Sequence, residues 1–283
     1  MPYCLIFPGQ GTQFPGMSAG LDLKWIGDDD LIGLMEQGPE DLLTTTINAQ
    51  KAVFSVTAAL WESSVHKQPA MVMGHSLGEY MALVASRSIS REDCFRLISE
   101  RASAMDRSMP PGSGVMAAVL GMAPNDIQEA LKDVEGMWVA NYNMPGQTVI
   151  SGDTASFDAA CARLKDKGAR RIIPLNVAIA SHCPRMEPAA RTLAGRLKDV
   201  DIRKPETPVV FNVTAEAESD PERIRTLLAD QLVSPVQWER SVRYAAEKGI
   251  DRFIEIGPKS VLAPMVKKIL PGIEVEVITN DGH

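Results

Sequence analysis

The chain has 283 residues, 45 % hydrophobic and 23 % charged, enough for a substantial core in one large domain or two unequal ones. A formal net charge of -7 argues against a general nucleic-acid binder, which needs a basic face to neutralise phosphates. Cys4, Cys94, Cys161 and Cys183 are widely spaced with no C-x-x-C or Cys/His pattern, which supports neither a disulfide framework nor a zinc site.

The opening stretch MPYCLIFPGQGTQFPGM carries no basic leader ahead of an apolar run, and no window approaches the roughly 18 apolar residues of a membrane span. A reduced, cytoplasmic protein is expected, neither exported nor inserted in a membrane. The apolar run YCLIF (3–7) breaks at Pro8 and Gly9 and predicts a buried strand entering a tight loop. A helix is predicted from Asn48 to Ser63, a second buried strand over AMVMG (70–74), and helices over Leu77–Ser86 and Arg91–Arg107, the last capped by Ser90. The segment PPGSG (110–114) marks a boundary. Residues 115–175 then read strand, helix, strand, strand, helix, strand, a β-α-β-β-α-β order of the ferredoxin-like kind. Beyond His182 helices alternate with short strands such as PVVFN (208–212) and FIEIG (253–257). The predicted fold is α/β: a discontinuous domain (1–112 and 179–283) with an α/β-hydrolase-like core, and an inserted ferredoxin-like α+β subdomain (113–178).

The stretch MVMGHSLGEY (71–80) places Ser76 between two glycines directly after an apolar strand. This matches the G-x-S-x-G nucleophile elbow, in which a sharp turn exposes the serine hydroxyl and leaves the following amide free to bind an oxyanion. The alternative is a plain strand-to-helix turn with Ser76 as a cap. A serine nucleophile needs a base, and the chain has four histidines. His75 adjoins the serine and points elsewhere on a sharp turn, His66 lies in a polar stretch, and His283 is the last residue. Elimination leaves His182, expected at a strand end before a helix beginning near Pro184. In the helix REDCFRLISERASAMDR, Arg101 falls on the apolar stripe of Cys94, Leu97, Ile98 and Met105. A guanidinium on an inward face requires an anion: either a protein carboxylate such as Glu79, or a carboxylate of the substrate.

With FPGQGTQ, GHSLGEY, ANYNMPGQTVISG, the SHC segment, QLVSPVQW and EIGPKSVL in this order, nearly the whole chain resembles the malonyl-CoA:acyl carrier protein transacylases of fatty acid and polyketide synthesis. The resemblance implies that Ser76 is acylated, that His182 is the base, and that Gln10 and the Leu77 amide form the oxyanion hole. It implies that Arg101 holds the malonyl carboxylate, and that the main-chain carbonyl of Gln231 orients His182 in place of an acid. It implies malonyl-CoA and an acyl carrier protein as partners and no cofactor. The stretch between Met17 and GPEDLL is shorter than the family leads one to expect, which bears on packing around Gln50. Rival functions with the same residues are a hydrolase of acyl-carrier thioesters and the transacylase subunit of a malonate decarboxylase; a silent carrier-docking module is disfavoured by intact Ser76 and His182. An acidic carrier needs cations near the pocket mouth. Two clusters qualify: Lys267 with Lys268, and Lys165, Lys167, Arg170 and Arg171, each of which reads equally as solvated helix ends.

Overall fold

The computed structural model describes residues 2–66, 68–110, 112–177 and 179–281. In chain order the elements are β1 (Tyr3–Phe7), α1 (Asp29–Gln37), α2 (Glu40–Leu43), α3 (Thr46–Ser63), β2 (Met71–Gly74), α4 (Gly78–Ala85) and α5 (Arg91–Arg107). There follow β3 (Gly114–Leu120), α6 (Pro124–Leu131), β4 (Met137–Met144), β5 (Gln147–Asp153), α7 (Phe157–Asp166) and β6 (Arg171–Pro174). The chain closes with α8 (Glu187–Leu197), β7 (Val209–Val210), β8 (Ala217–Glu218), α9 (Pro221–Asp230), α10 (Trp238–Glu247), β9 (Arg252–Ile256), α11 (Ala263–Ile269) and β10 (Glu274–Ile278).

Six strands form one sheet in the order β10-β9-β1-β2-β7-β8, parallel except for the β7–β8 edge. A parallel strand is covered on both faces and so reads as an unbroken apolar run. In β1, Leu5 and Phe7 pack with α3, α4, α5, α8 and α9, while Cys4 and Ile6 turn the opposite way onto Trp238, Val242 and Val266 of α10 and α11. The predicted cap of α5 is present: the Ser90 hydroxyl accepts the Asp93 N–H at 3.0 Å.

Four further strands form a second, antiparallel sheet in the order β4-β5-β3-β6. One face, with Ala117, Val119, Val139 and Ile150, packs on Ile127 and Leu131 of α6 and Ala160 and Leu164 of α7. The alternate residues Met116, Ala118, Ala140 and Val149 point to the other side. The free edge of β4 is tied to the first body of the chain: Tyr142 donates to Val236 O at 2.9 Å, and Val236 N donates to Ala140 O at 2.8 Å.

Several local expectations shift. The strand expected over PVVFN contracts to Val209 and Val210, because a two-residue partner at the sheet edge closes the ladder there. The first helix of the 115–175 unit spans Pro124–Leu131. β6 ends at Pro174, eight positions before His182, so the histidine does not stand at a strand end. The described residues between 175 and 183 belong to no helix or strand, and a 3-10 turn over Pro184–Met186 leads into α8. Among the described residues no helix is long and apolar enough to cross a membrane.

Candidate functional site

The turn between β2 and α4 is shaped by what cannot fit beside it. A Cβ on Gly74 would lie 1.9 Å from the Gly78 carbonyl carbon, and one on Gly78 would lie 2.0 Å from the Phe7 carbonyl oxygen. β1, β2 and α4 therefore close on one another only with glycine at both positions. Ser76 at the apex takes a left-handed conformation, φ 52°, which costs a non-glycine residue of order 1–3 kcal/mol and persists only where the surroundings over-determine it. Here Asn212 supplies much of that constraint. Its Oδ1 accepts the Ser76 N–H at 2.7 Å and its Nδ2 donates to Gly74 O at 2.6 Å, so one amide spans both sides of the turn.

The Ser76 hydroxyl lies 2.7 Å from His182 Nε2, and His182 Nδ1 lies 2.8 Å from the main-chain oxygen of Gln231. A carbonyl accepts only, so Nδ1 carries its hydrogen and Nε2 is left with its lone pair toward Ser76. His182 too has a positive φ, 58°. Burial, and then the positive charge of Arg101, hold its imidazole well below its ordinary range, at about 3. His182 is thus neutral at physiological pH, the state in which it can accept the serine proton.

Arg101 is 1 % exposed. Its Nη1 donates to Gln50 Oε1 at 2.6 Å and its Nη2 to Gln231 Oε1 at 3.1 Å, its Nε has no acceptor among the described residues, and its guanidinium lies 5.4 Å from the Tyr80 ring centroid. The carboxylate pairing with Glu79 allowed by the sequence does not form. Glu79 accepts instead from Gln231 Nε2 at 2.8 Å and from Asn212 N at 2.5 Å, so an amide stands between acid and base. Among the described residues Arg101 has no carboxylate within ion-pair distance. A desolvated guanidinium faces only neutral acceptors, a state that costs several kcal/mol unless a counter-charge arrives.

These groups surround one cavity of about 140 Å³, lined by Gln10, Ser76, Leu77, Arg101 and His182 together with Met116 and Val149 from the second sheet. Gln10 follows β1 in the loop over the turn, and the Leu77 N–H makes no hydrogen bond among the described residues. Gln231 stands behind this wall, its carbonyl on His182 and its side-chain Nε2 also donating to Ser76 O at 3.0 Å. Lys267 and Lys268 are exposed on α11 and do not line the cavity; Lys165, Lys167, Arg170 and Arg171 are exposed around the end of α7. The other histidines are engaged elsewhere: His66 with Glu276 at 3.1 Å and His75 Nε2 with Asn143 Oδ1 at 2.9 Å, while His283 lies outside the described residues. No group of three or more His, Cys, Asp or Glu placed to hold a metal ion occurs among the described residues.

The chain matches the acyl transferase domain over residues 28–279. It belongs to the acyl transferase family. The malonyl CoA-acyl carrier protein transacylase of Escherichia coli K12 is 38 % identical over 286 residues, covering 95 % of this chain and 93 % of that protein. The Bacillus subtilis protein of the same name is 38 % identical over 282 residues, covering 93 % and 89 %. Among solved structures, an acyl carrier protein S-malonyltransferase from Vibrio cholerae superposes with a TM-score of 0.91 at 34 % identity, covering 99 % of this chain and 97 % of that one. A malonyl-transacylase solved in complex with its type II PKS acyl-carrier protein gives a TM-score of 0.92 at 34 % identity, covering 99 % and 96 %. The family match begins after Gln10, so that residue enters the site through the cavity geometry.

Two members of the constellation escaped the sequence. Asn212 closes the PVVFN run, and a polar residue ending an otherwise apolar strand is the one signal that pointed to it. Asn143, the partner of His75, lies within the quoted ANYNMPGQTVISG segment, but nothing in that segment singles it out.

Proposed function

We propose that this chain transfers a malonyl group from malonyl-CoA to the phosphopantetheine thiol of an acyl carrier protein through a malonyl-serine intermediate. The observation that carries this is that Ser76, its partner His182 and a buried guanidinium with no carboxylate partner among the described residues line one cavity. The cavity, about 140 Å³, is on the scale of a short dicarboxylic acyl group.

In the first half-reaction Ser76 Oγ attacks the thioester carbonyl carbon while its proton passes to His182 Nε2, and the carbonyl π electrons move to oxygen. Gln10 and the Leu77 N–H hold that oxyanion. Collapse re-forms the carbonyl, breaks the C–S bond, and returns the proton from His182 to the departing CoA sulfur. The second half-reaction runs the same steps in reverse with the carrier thiol as nucleophile. Throughout, the acyl carboxylate takes the donors of Arg101 that Gln50 and Gln231 leave unused. An acetyl group supplies no such anion, which makes the guanidinium a selectivity element.

The accompanying fold assignment is an α/β-hydrolase-like core over 1–112 and 179–283 with a ferredoxin-like subdomain over 113–178. Supporting it are the mostly parallel six-stranded sheet carrying the elbow and the 4-1-3-2 order of the antiparallel four-stranded sheet, each strand counted within 113–178. A cytoplasmic location goes with four free cysteines. For carrier docking, Lys267 with Lys268 is proposed first and the cluster at the end of α7 second, both because they are exposed cations on a chain of net charge -7.

Intact-protein mass spectrometry after incubation with malonyl-CoA, with and without carrier protein, tests the function. A malonyl adduct on Ser76 that persists in buffer and is discharged by holo-carrier protein is expected. Loss of the adduct to water at the same rate without carrier would assign the chain as a hydrolase.

A further inference from the structure

Glu79 is fully buried three residues after Ser76, yet it touches neither the serine hydroxyl nor Arg101 directly. What it touches is the Gln231 side chain. A glutamine amide can sit either way round with little change in shape, and only its partners decide which end is oxygen. Both hydrogens of Gln231 Nε2 are spent, one on Glu79 Oε1 and one on Ser76 O, which turns Oε1 toward Arg101 Nη2. The other Glu79 oxygen accepts the Asn212 N–H, and the Asn212 side chain holds the elbow. A group that accepts on both sides is therefore required at position 79. Burial raises the Glu79 pKa, against the pull of the Asn212 and Gln231 donors and of Arg101; with an N–H directed at each oxygen, the ionised carboxylate is the form these contacts hold, and it is in that form that Glu79 acts on the amide.

We infer that Glu79 is a positioning residue for acyl selectivity: by fixing the sense of the Gln231 amide it presents an oxygen, never an N–H, to Arg101 and keeps the guanidinium aimed into the cavity. The interposed amide also keeps the carboxylate off the guanidinium. A direct Glu79–Arg101 pair would occupy the donors that a substrate carboxylate needs, whereas the neutral amide orients the cation without neutralising it. This rests on the reading of Arg101 as the anchor of a malonyl carboxylate.

The test is Glu79→Gln, which keeps shape and replaces one acceptor by a donor. If the new amide oxygen stays on Asn212 N, its NH2 meets Gln231, whose amide must turn over; Arg101 then faces an N–H and Ser76 O loses its donor. Acylation by malonyl-CoA should lose about tenfold or more in kcat/KM, the scale of one hydrogen bond to a charged group, mainly through KM. Acetyl-CoA acylation and Ser76 labelling by a neutral fluorophosphonate should stay within about threefold of the parent, so that the malonyl-to-acetyl ratio falls. A ratio that stays at the parent value, or equal losses with both thioesters, would overturn the inference and leave Glu79 a purely structural residue. Arg101→Ala is measured in parallel. If it leaves the ratio unchanged, the anchor reading fails and takes this inference with it; if it shifts the ratio and Glu79→Gln does not, the inference alone fails. Should Glu79→Gln not fold, Gln231→Met removes the same amide while keeping the main-chain carbonyl on His182. There the malonyl-to-acetyl ratio is read, whatever the loss in either rate; it must fall, and an unshifted ratio overturns the proposal.

Discussion

Replacing Arg101 by alanine separates the two uses a buried guanidinium can have. Malonyl-CoA would lose two charge-assisted hydrogen bonds from a planar fork, each worth about 1.5–3 kcal/mol. Taking the lower bound for the pair, about 3 kcal/mol, its acylation kcat/KM should fall by about 10². Acetyl-CoA has no carboxylate to lose. In the parent it leaves Arg101 with the oxygens of Gln50 and Gln231 and no carboxylate among the described residues within ion-pair distance, so removal of the cation relieves an uncompensated charge and acetyl transfer should hold or rise. A second effect has the same origin. Arg101 is, after burial, the largest influence depressing the His182 imidazole to about 3; without it the acid limb of the acylation profile should move upward. Rapid-quench acylation with each thioester, read by intact mass across pH, measures both. Equal losses for malonyl and acetyl, with an unmoved acid limb, would refute the reasoning and make Arg101 a packing residue. Some loss of Tm is expected in either case, because the Gln50 and Gln231 oxygens are left buried without a donor at about 1–3 kcal/mol each.

Ser76→Ala should abolish the acyl adduct while far-UV circular dichroism and Tm stay near the parent, since the hydroxyl sits half-buried at a turn apex; a single-site adduct in the variant would displace the nucleophile. Because the folded His182 pKa is depressed from 6.5 to about 3, acylation should show no imidazole limb near pH 6.5, and a limb centred there would contradict the burial argument. The same shift makes His182 contribute stability that is present above pH 6.5 and lost as pH falls toward 3, visible as loss of that acid sensitivity of Tm in His182→Ala. Gly78→Ala should prevent folding or lower Tm steeply, its Cβ meeting the Phe7 carbonyl at 2.0 Å; a near-parental Tm would mean that β1 and α4 can separate. Charge reversal of Lys267 and Lys268 to Glu should raise KM for carrier protein several-fold, weaken its salt dependence and spare acylation by malonyl-CoA. Carrier kinetics identical to the parent across a salt titration would move docking to Lys165, Lys167, Arg170 and Arg171.

The parts of the site legible in the sequence are those fixed by local geometry or by scarcity. The elbow shows because steric exclusion at Gly74 and Gly78 writes itself into adjacent positions. His182 shows because only four histidines exist, and Arg101 because helical spacing places it on an inward stripe. What spacing cannot give is the partner. The sequence left Glu79 and a substrate carboxylate as equal candidates for Arg101, and the answer depended on Gln231, 130 positions away. Its side chain accepts from the cation, donates to the acid, and so holds them apart. Asn212 is hidden for the same reason: it meets the elbow across 136 positions, and its one local mark, a polar residue closing an apolar run, does not tell that it splints a strained turn. The described residues just before His182 belong to no helix or strand, so no hydrophobic period exists there to read. The chemistry of the site thus rests on two amide side chains, Asn212 and Gln231, each with a donor on one end and an acceptor on the other. A carboxylate at 231 would set acceptors against Glu79 and the Ser76 carbonyl, one at 212 would leave Gly74 O without its donor, and an apolar residue would strand the N–H and C=O partners, so the strained serine and the guanidinium both depend on the two-ended chemistry of an amide.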